Sequence, residues 1–255
     1  MSGHTGAKRQ GTAVVPSKIK PAHSRATMAD RVEGGGSLDY FPSPPWWGRA
    51  LGDVLARLDL PTDGMMCEEP AAGEGHLAHG LADVFAMVRA SDIHAYPRRA
   101  GAPAITVRDY LDDGARSEGS AFSTRRALPD WTVTNPPFGA LTSAFIRRAV
   151  DRSRVGVAML LQLRLLEGAG RHGLFAECGL YATVVIPRRG SGLRKGLWQP
   201  GLSTATAYGW FIFVKPGVVP GWSGFEGEAR QLWLAPDACV TFSRDSDRAF
   251  AGLAS

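Results

Sequence analysis

The stretch of this 255-residue chain whose residue types and spacing point most directly to chemistry is a tetrapeptide, Asn135, Pro136, Pro137 and Phe138. It follows an apolar segment that begins at Trp131, so it would lie where a buried strand ends. Two consecutive prolines fix their own φ near about −65° and push the residue before them toward extended geometry, so this turn hardly adapts. The turn therefore presents the Asn135 amide and the Pro136 carbonyl as rigid hydrogen-bond acceptors. A proline-stiffened turn with no catalytic role is the alternative.

Rigid acceptors of this kind suit the transfer of a methyl group to an exocyclic amine. The nitrogen of such an amine is a poor nucleophile because its lone pair is delocalised into the ring. Hydrogen bonds that hold both amino hydrogens help to turn that lone pair outward. Positive charge grows on the nitrogen during transfer, so fixed acceptors stabilise the transition state more than the ground state. The ring of Phe138 offers a face on which an extruded base could stack, and no general base is required if the proton leaves last.

Asn-Pro-Pro followed by an aromatic residue resembles motif IV of the amino-methyltransferases. These enzymes use S-adenosylmethionine to methylate exocyclic amines of adenine, cytosine or guanine, or a glutamine amide. The resemblance implies that S-adenosylmethionine is the cofactor and that Asn135 lies beside it. It also implies that the catalytic loop consists of Asn135, Pro136, Pro137 and Phe138.

A second motif occupies residues 65–75, where a short apolar strand leads to an acid and a tight turn of small residues. Glycines in a strand-to-helix turn let the backbone pass close to a ligand. The acid, Glu69, and the turn after it resemble the Asp-Pro-x-x-Gly-x-Gly motif I of methyltransferases. The resemblance implies that Glu69 pairs with the cationic amino-acid end of the cofactor, in a site lined by Ala71, Gly73 and Gly75. A plain strand-to-helix turn is the alternative.

Two further acids follow the next two predicted strands. Asp92 lies 92 − 69 = 23 positions after Glu69, close to the interval of about 20 residues at which an acid binds the ribose of a nucleotide. We therefore expect Asp92 to bind ribose hydroxyls and Ile93 to cover one face of the cofactor adenine. Asp109 and Tyr110 resemble motif III, which implies contact with the adenine amino group and ring. The alternatives are a helix N-cap for Asp92 and a surface turn for Asp109.

Upstream of these motifs, Phe41, Ser43 and Pro44 match the Phe-x-Thr/Ser-Pro signature of motif X. The resemblance implies that Phe41 and Ser43 touch the methionine end of the cofactor. Apolar residues at helical spacing then predict an amphipathic helix that contains Trp47, Leu51, Val54, Leu55 and Leu58. A helix start with an aromatic staple is the alternative reading of this element.

Strands and helices alternate along most of the chain, and this pattern predicts an α/β fold with a doubly wound, mainly parallel sheet. The resemblance implies the class I methyltransferase (Rossmann-like) form, with seven strands and an antiparallel last strand. The last two strands are predicted at 181–187 and 207–214. We expect a disordered basic tail over residues 1–36 and a single methyltransferase domain over 37–255. Residues 216–255 receive no predicted role.

The charge pattern favours a polyanionic partner. The formal net charge is +5, and the 48 residues between Glu177 and Glu226 contain no carboxylate. A glycine-bearing loop predicted over 188–204 lies within this stretch. We expect the loop to contact nucleic acid through Arg188, Arg189, Arg194, Lys195 and Trp198. A solvated basic loop is the alternative.

The remaining composition predicts an intracellular protein that needs no metal. Three cysteines without a CxxC pair are too few for a disulfide framework or a zinc site, and a reducing cytoplasm is the simplest location. No apolar run approaches the roughly 20 residues of a membrane span, so we expect no membrane contact.

Residues 160–213 further resemble adenine methyltransferases of phages and prophages. This resemblance implies a DNA methyltransferase that acts on the N6 amino group of an adenine flipped from the duplex. A ribosomal RNA amino-methyltransferase is the main alternative. A protein glutamine methyltransferase and a cofactor-binding module without turnover are the others. The sequence names neither the target site nor the oligomeric state, which could be a monomer or a homodimer.

Overall fold

The computed structural model describes residues 41–112, 128–187 and 206–251, together with Met1 and the backbone of two short strands within 192–199. The predicted tail over residues 1–36 therefore lies outside the described part, apart from Met1. The single domain over 37–255 stays a prediction.

Eight strands form one twisted sheet, in the order β10-β6-β9-β5-β4-β1-β2-β3. Their bounds are β1 (Met66–Glu69), β2 (Met87–Asp92), β3 (Ile105–Val107), β4 (Trp131–Thr134), β5 (Gly156–Gln162), β6 (Leu180–Val185), β9 (Tyr208–Val214) and β10 (Arg230–Trp233). Strand β9 runs antiparallel to both of its neighbours, and the other pairs are parallel. The predicted doubly wound, mainly parallel α/β sheet with a late antiparallel strand is thus confirmed.

The predicted count of seven strands is wrong, because β10 pairs in parallel with β6 at the sheet edge. This strand comes from the segment to which the sequence assigned no role. An edge strand pairs with another strand on one side only. All four residues of β10 are at least partly exposed, so its sequence lacks the apolar alternation that indicates a strand. The predicted loop over 188–204 also contains two short paired strands, β7 (Gly192–Arg194) and β8 (Leu197–Gln199).

Helices cover both faces of the sheet. They are α1 (Pro45–Arg57), α2 (His76–Leu81), α3 (Leu141–Arg152), α4 (Arg171–Cys178) and α5 (Ala238–Phe242), with 3-10 helices at Leu163–Glu167 and Asp245–Phe250. Helix α2 directly follows the glycine-rich turn and ends at Leu81. Within the described ranges, no helix is long and apolar enough to cross a membrane.

Alternate side chains of the central strands supply two cores. From β9, Trp210 and Ile212 join the core beneath α1 and α2, whereas Phe211 and Phe213 join the core beneath α3 and α4. The period of two is that of a strand, and both of its faces are apolar because helices cover both. The carboxyl ends of β1, β2 and β4 therefore lie between two layers of helices.

Helices α1 and α2 approach so closely that their contact admits no side chain at Gly80. A Cβ atom on Gly80 would lie far inside van der Waals contact with the Pro45 carbonyl oxygen. We expect Gly80→Ala to lower the free energy of unfolding by about 1–3 kcal/mol, because backbone has to move to admit the methyl group. Urea denaturation measures the change. Gly173→Ala is a matched control on α4, where no atom lies within 4 Å of the added Cβ.

The control should raise the free energy of unfolding by up to about 1 kcal/mol, because alanine is the better helix former. Equal stability of Gly80→Ala and the wild-type protein would contradict the close approach of α1 and α2.

Candidate functional site

A cavity of about 470 Å³ opens where the carboxyl ends of β1, β2 and β4 meet. Its size falls within the range of about 300–1,000 Å³ that is typical of ligand pockets. The predicted site residues that line it are Phe41, Ser43, Glu69, Ala71, Gly73, Asp92, Ile93, Asp109, Tyr110, Asn135, Pro136, Pro137 and Phe138. Motifs that are separated by almost 100 positions along the chain therefore surround one space.

Gly75 is the predicted cofactor residue that does not line this cavity. Its φ of 91° requires glycine, and an added Cβ would lie 2.5 Å from the Cβ of Ala102. Gly75 thus lets the turn pack against the loop behind it. The side chains of the predicted nucleic-acid contacts lie outside the described residues; they are Arg188, Arg189, Arg194, Lys195 and Trp198.

The cavity also contains residues that the motifs did not single out. They are Pro42, Pro70, Ala72, His76, Leu77, Tyr96, Leu111, Leu141 and Phe145. The sequence did contain a signal for His76, because this residue directly follows the glycine-rich turn and is the first residue of α2. No sequence motif indicated Tyr96 or Phe145, whose rings reach the cavity only through the tertiary structure.

Asp92 anchors the glycine-rich turn from the end of β2. Its Oδ2 accepts a hydrogen bond of 2.8 Å from the Gly73 N–H, and its Oδ1 accepts one of 2.9 Å from the His94 N–H. The carboxylate is therefore held in one orientation, in the cavity wall rather than at a helix N-cap. Each oxygen keeps a second lone pair for a ligand hydroxyl.

Two adjacent glutamates on β1 have opposite environments. Glu68 forms ion pairs with Arg108, at 2.9 Å, and with Arg89, at 3.6 Å. Glu69 lines the cavity near the backbone N–H of Ala78 in α2, and its buried Oε2 has no hydrogen-bond partner among the described residues. Burial and the nearby charge of Asp92 raise the pKa of Glu69 well above its usual value. A cationic ligand group would supply the partner that Glu69 lacks.

The lining as a whole also favours a cationic ligand. Among the described residues that line the cavity are three carboxylic acids, Glu69, Asp92 and Asp109, but no lysine or arginine. Glu69 and Asp92 are buried, whereas Asp109 is exposed. Buried carboxylates without counter-charges are costly, so the part of the cavity beside Glu69 and Asp92 complements a ligand that brings positive charge and hydrogen-bond donors.

The Asn135 amide has a defined orientation at the end of β4. Its Nδ2 donates to the Phe41 carbonyl oxygen and to the Ser43 Oγ, both at 3.1 Å. A carbonyl oxygen only accepts, so the NH₂ group must face Phe41 and the Oδ1 atom must face away from it. This Oδ1 is buried and has no hydrogen-bond partner in the part of the chain that the structure describes. The amide is therefore an oriented acceptor that lacks its donor.

Aromatic rings stand beside this acceptor. The Phe138 ring meets Phe41 edge-on at 6.1 Å and Tyr208 at 6.3 Å, and Phe41 lies 5.5 Å from Tyr208. Behind the loop, Thr142 Oγ1 donates to the Pro137 carbonyl at 3.0 Å. The partly buried Phe138 ring is thus supported by neighbours while the loop backbone is fixed.

The motif III residues form the other end of the cavity. Asp109 Oδ1 accepts from the Leu111 N–H at 2.9 Å, which is the local turn bond expected of a surface aspartate. The buried Tyr110 ring packs 5.2 Å from Phe145, and the Arg108 guanidinium lies 5.7 Å from its centre. Asp109 therefore stabilises its own turn and also borders the cavity.

Comparisons with known proteins identify the fold. No family model and no curated protein matches the sequence. A candidate class I S-adenosylmethionine-dependent methyltransferase from Listeria monocytogenes superposes with a TM-score of 0.56 at 11% identity, over 85% of this chain and 74% of that one.

Two other solved structures are also similar. The EcoKI M protein of a type I restriction enzyme gives a TM-score of 0.49 at 12% identity, over 74% of this chain and 47% of that one. A candidate RNA methyltransferase from Pyrococcus horikoshii gives 0.47 at 16% identity, over 70% and 88%. From the sheet order and the Listeria structure, this chain has the fold of the class I S-adenosylmethionine-dependent methyltransferases.

Proposed function

We propose that this protein transfers a methyl group from S-adenosylmethionine to the N6 amino group of an adenine in DNA. The observation that carries the proposal is the buried, unpartnered Oδ1 of Asn135 in the wall of the acid-lined cavity. A substrate amine would supply the hydrogen-bond donor that this oriented acceptor lacks.

The described residues fit S-adenosylmethionine, whose donors are an ammonium, two ribose hydroxyls and an adenine amine. Glu69 would hold the ammonium, Asp92 the ribose, and Asp109 with Tyr110 the adenine. When bound, the cofactor supplies an electrophilic methyl group on a sulfonium centre. The described lining supports this assignment, because it contains three carboxylic acids and neither lysine nor arginine.

The protein's own part in the reaction is to hold the amine and to stabilise its growing charge. Asn135 Oδ1 would accept one amino hydrogen, and the Pro136 carbonyl would accept the other. Both acceptors are rigid. Pro136 and Pro137 restrict the backbone, and the hydrogen bonds from Asn135 to Phe41 and Ser43 fix the orientation of the amide. Preorganised acceptors of this kind stabilise a transition state in which positive charge develops.

An adenine is the substrate that the surroundings of Asn135 favour. The cluster of Phe138, Phe41 and Tyr208 offers aromatic surface for a base, worth about 1–3 kcal/mol per stacked base. A glutamine amide would gain less from such surface. The net charge of +5 and the acid-free stretch around the basic loop support a nucleic-acid substrate, and the resemblance to adenine methyltransferases of phages supports DNA.

One assay tests the proposal. The purified protein is incubated with tritiated S-adenosylmethionine and, separately, with DNA, total RNA and ribosomes, and the modified nucleoside is identified by mass spectrometry. The proposal predicts N6-methyladenine in the DNA pool. A methylated base in RNA alone would replace DNA by RNA as substrate, and a methylated glutamine in ribosomal protein would overturn the nucleic-acid assignment.

Ser43 provides a prediction about how Asn135 is positioned. We expect Ser43→Ala to lower kcat about 3- to 10-fold, because one hydrogen bond of roughly 0.5–1.5 kcal/mol that orients the amide is lost. The affinity for S-adenosylhomocysteine, measured by calorimetry, should change less than about twofold. Motif X implied a contact with the cofactor instead, and in that case the affinity would fall while kcat would hold.

Two variants control this experiment. Ser43→Thr keeps the hydroxyl and should restore most of kcat. The double variant of Ser43→Ala with Asn135→Ala should be no slower than Asn135→Ala alone, since Ser43 acts through the amide. A full additive loss in the double variant would contradict this role.

A further inference from the structure

The C-terminal part of the described chain, which contains none of the predicted methyltransferase motifs, is anchored to the helices beside the cavity. Arg49 of α1 donates two hydrogen bonds of 2.8 Å to the carboxylate of Asp247, and both side chains are buried. The same guanidinium binds Asp83 at 2.6 Å and the Phe242 carbonyl at 2.9 Å. The segment Asp245–Phe250 is thus fixed against α1 and α2.

Phe250 at the end of this segment reaches a histidine of the cavity wall. Its fully buried ring lies 5.3 Å from His76 and stacks at 4.5 Å on His79. Its carbonyl oxygen lies 3.0 Å from His76 Nε2. A carbonyl oxygen only accepts, so Nε2 must carry a hydrogen, and in neutral imidazole the Nδ1 atom is then the acceptor.

His76 is neutral at physiological pH, because burial lowers its pKa to about 4. The residue is only 3% exposed, and its Nδ1 is a buried atom that finds no hydrogen-bond partner among the described residues. An unpaired buried acceptor is destabilising, so a donor that reaches it is favoured. Because His76 lines the cavity, a bound ligand is placed to supply that donor.

The amino-acid end of the cofactor can donate more hydrogen bonds than its proposed partner, Glu69, accepts. Glu69, the proposed partner of the ammonium, lies near the backbone N–H of Ala78, two residues after His76 in the first turn of α2. An ammonium carries three hydrogens and Glu69 Oε2 takes one, which leaves others for a neighbouring acceptor. The ribose and the adenine have their own proposed acceptors in Asp92 and Asp109.

We propose that His76 Nδ1 accepts a hydrogen bond from the ammonium of the bound cofactor, and that the Phe250 carbonyl selects the tautomer that makes this possible. The proposal rests on the proposed function for the identity of the cofactor. It makes the segment Asp245–Phe250 a part of the cofactor site, although none of its residues lines the cavity. His76 is then a binding residue, and Phe250 is a positioning residue that acts through it.

The direct test is nitrogen-15 NMR of the full chain labelled at histidine. S-adenosylhomocysteine carries the ammonium, and 5′-methylthioadenosine keeps the adenosine but lacks the amino acid. We expect the unprotonated Nδ1 resonance of His76 to shift upfield with the first compound and to stay in place with the second. His172, which packs on Phe225 and does not line the cavity, should not respond to either.

Calorimetry gives the matching affinities. His76→Leu should weaken S-adenosylhomocysteine about 5- to 30-fold and leave 5′-methylthioadenosine within about twofold. His76→Asn places an amide oxygen near the position of Nδ1 and should recover part of the affinity. His79→Leu is the matched control, because His79 also contacts Phe250 but does not line the cavity, and it should bind as the wild type does.

The outcomes separate this inference from the proposed function. If the wild type binds S-adenosylhomocysteine but His76 carries its hydrogen on Nδ1, or its Nδ1 signal is unmoved, the inference is overturned and the proposed function stands. A loss of affinity for both compounds in His76→Leu would also overturn it, since Nδ1 would then serve the adenosine. If the wild type binds neither compound, both proposals fail.

Discussion

Replacing Asn135 by alanine is expected to slow methyl transfer about 100- to 1,000-fold and to leave the affinity for S-adenosylhomocysteine within a few-fold of wild type. The variant loses the oriented Oδ1 acceptor, and loss of one such preorganised partner typically costs about 2.7–4 kcal/mol of transition-state stabilisation. Single-turnover kinetics with saturating cofactor measures the chemical step, and calorimetry measures the affinity.

A change in the same loop provides the control for this prediction. Thr142→Val removes the hydrogen bond to the Pro137 carbonyl but keeps the shape of the side chain and does not touch Asn135. It should cost less than about tenfold in rate. If Thr142→Val were as slow as Asn135→Ala, the loss would reflect loop structure, and the amide would have no special part in the chemistry.

Replacing Glu69 by glutamine is expected to weaken the binding of S-adenosylmethionine about 30-fold or more. Glutamine keeps an oxygen for the Ala78 N–H but removes the charge that would pair with the ammonium, and breaking a buried charge pair costs about 2–5 kcal/mol. Because the pKa of Glu69 is raised in the free protein, an arriving ammonium would lower it and release a proton. Calorimetry in buffers of different ionisation enthalpy detects that proton, and Glu69→Gln should abolish it.

The same substitution should stabilise the protein without cofactor. The pKa of Glu69 in the folded state lies above its ordinary value, so the contribution of Glu69 to stability is complete below the ordinary carboxyl pKa. It is lost as the pH rises toward the raised pKa, because the unfolded chain ionises more readily. Glu69→Gln should therefore exceed the wild type in free energy of unfolding by a margin that grows with pH. Weaker stability at neutral pH, or unchanged affinity, would contradict the assigned role.

Much of the fold was predictable because the chain alternates apolar strands with amphipathic helices. Trp210 to Val214 is apolar at every position, as a strand covered on both faces must be, and the structure places it inside the sheet, between β5 and β6. The edge strand β10 escaped prediction for the opposite reason, because its residues are mostly exposed and carry no periodic pattern.

The location of the site was also predictable, because parallel strands bring their carboxyl ends to one edge. Glu69, Asp92 and Asn135 each follow or end such a strand, and all three line the cavity. Their environments were not predictable. The sequence contains two adjacent glutamates, and only the tertiary structure shows that Glu68 is paired with arginines while Glu69 has no cationic partner among the described residues.

Contacts over long sequence separations could not be predicted at all. The bond from Asn135 to the Phe41 carbonyl spans 94 positions, and the bond from His76 to the Phe250 carbonyl spans 174. Backbone carbonyls carry no residue type, so no motif records them. Yet these two carbonyls decide which way an amide faces and which nitrogen of an imidazole bears the proton.

The central claim is that the Asn135 oxygen and the methyl donor share one space, and a crystal structure with bound S-adenosylmethionine tests it most directly. The account predicts that the methyl carbon points toward the space beside Asn135 Oδ1 and Phe138. An amine held by Asn135 would then stand about 3–3.5 Å from the methyl carbon. A methyl group directed away from this loop, or a space beside Asn135 filled by the protein's own side chains, would contradict the account.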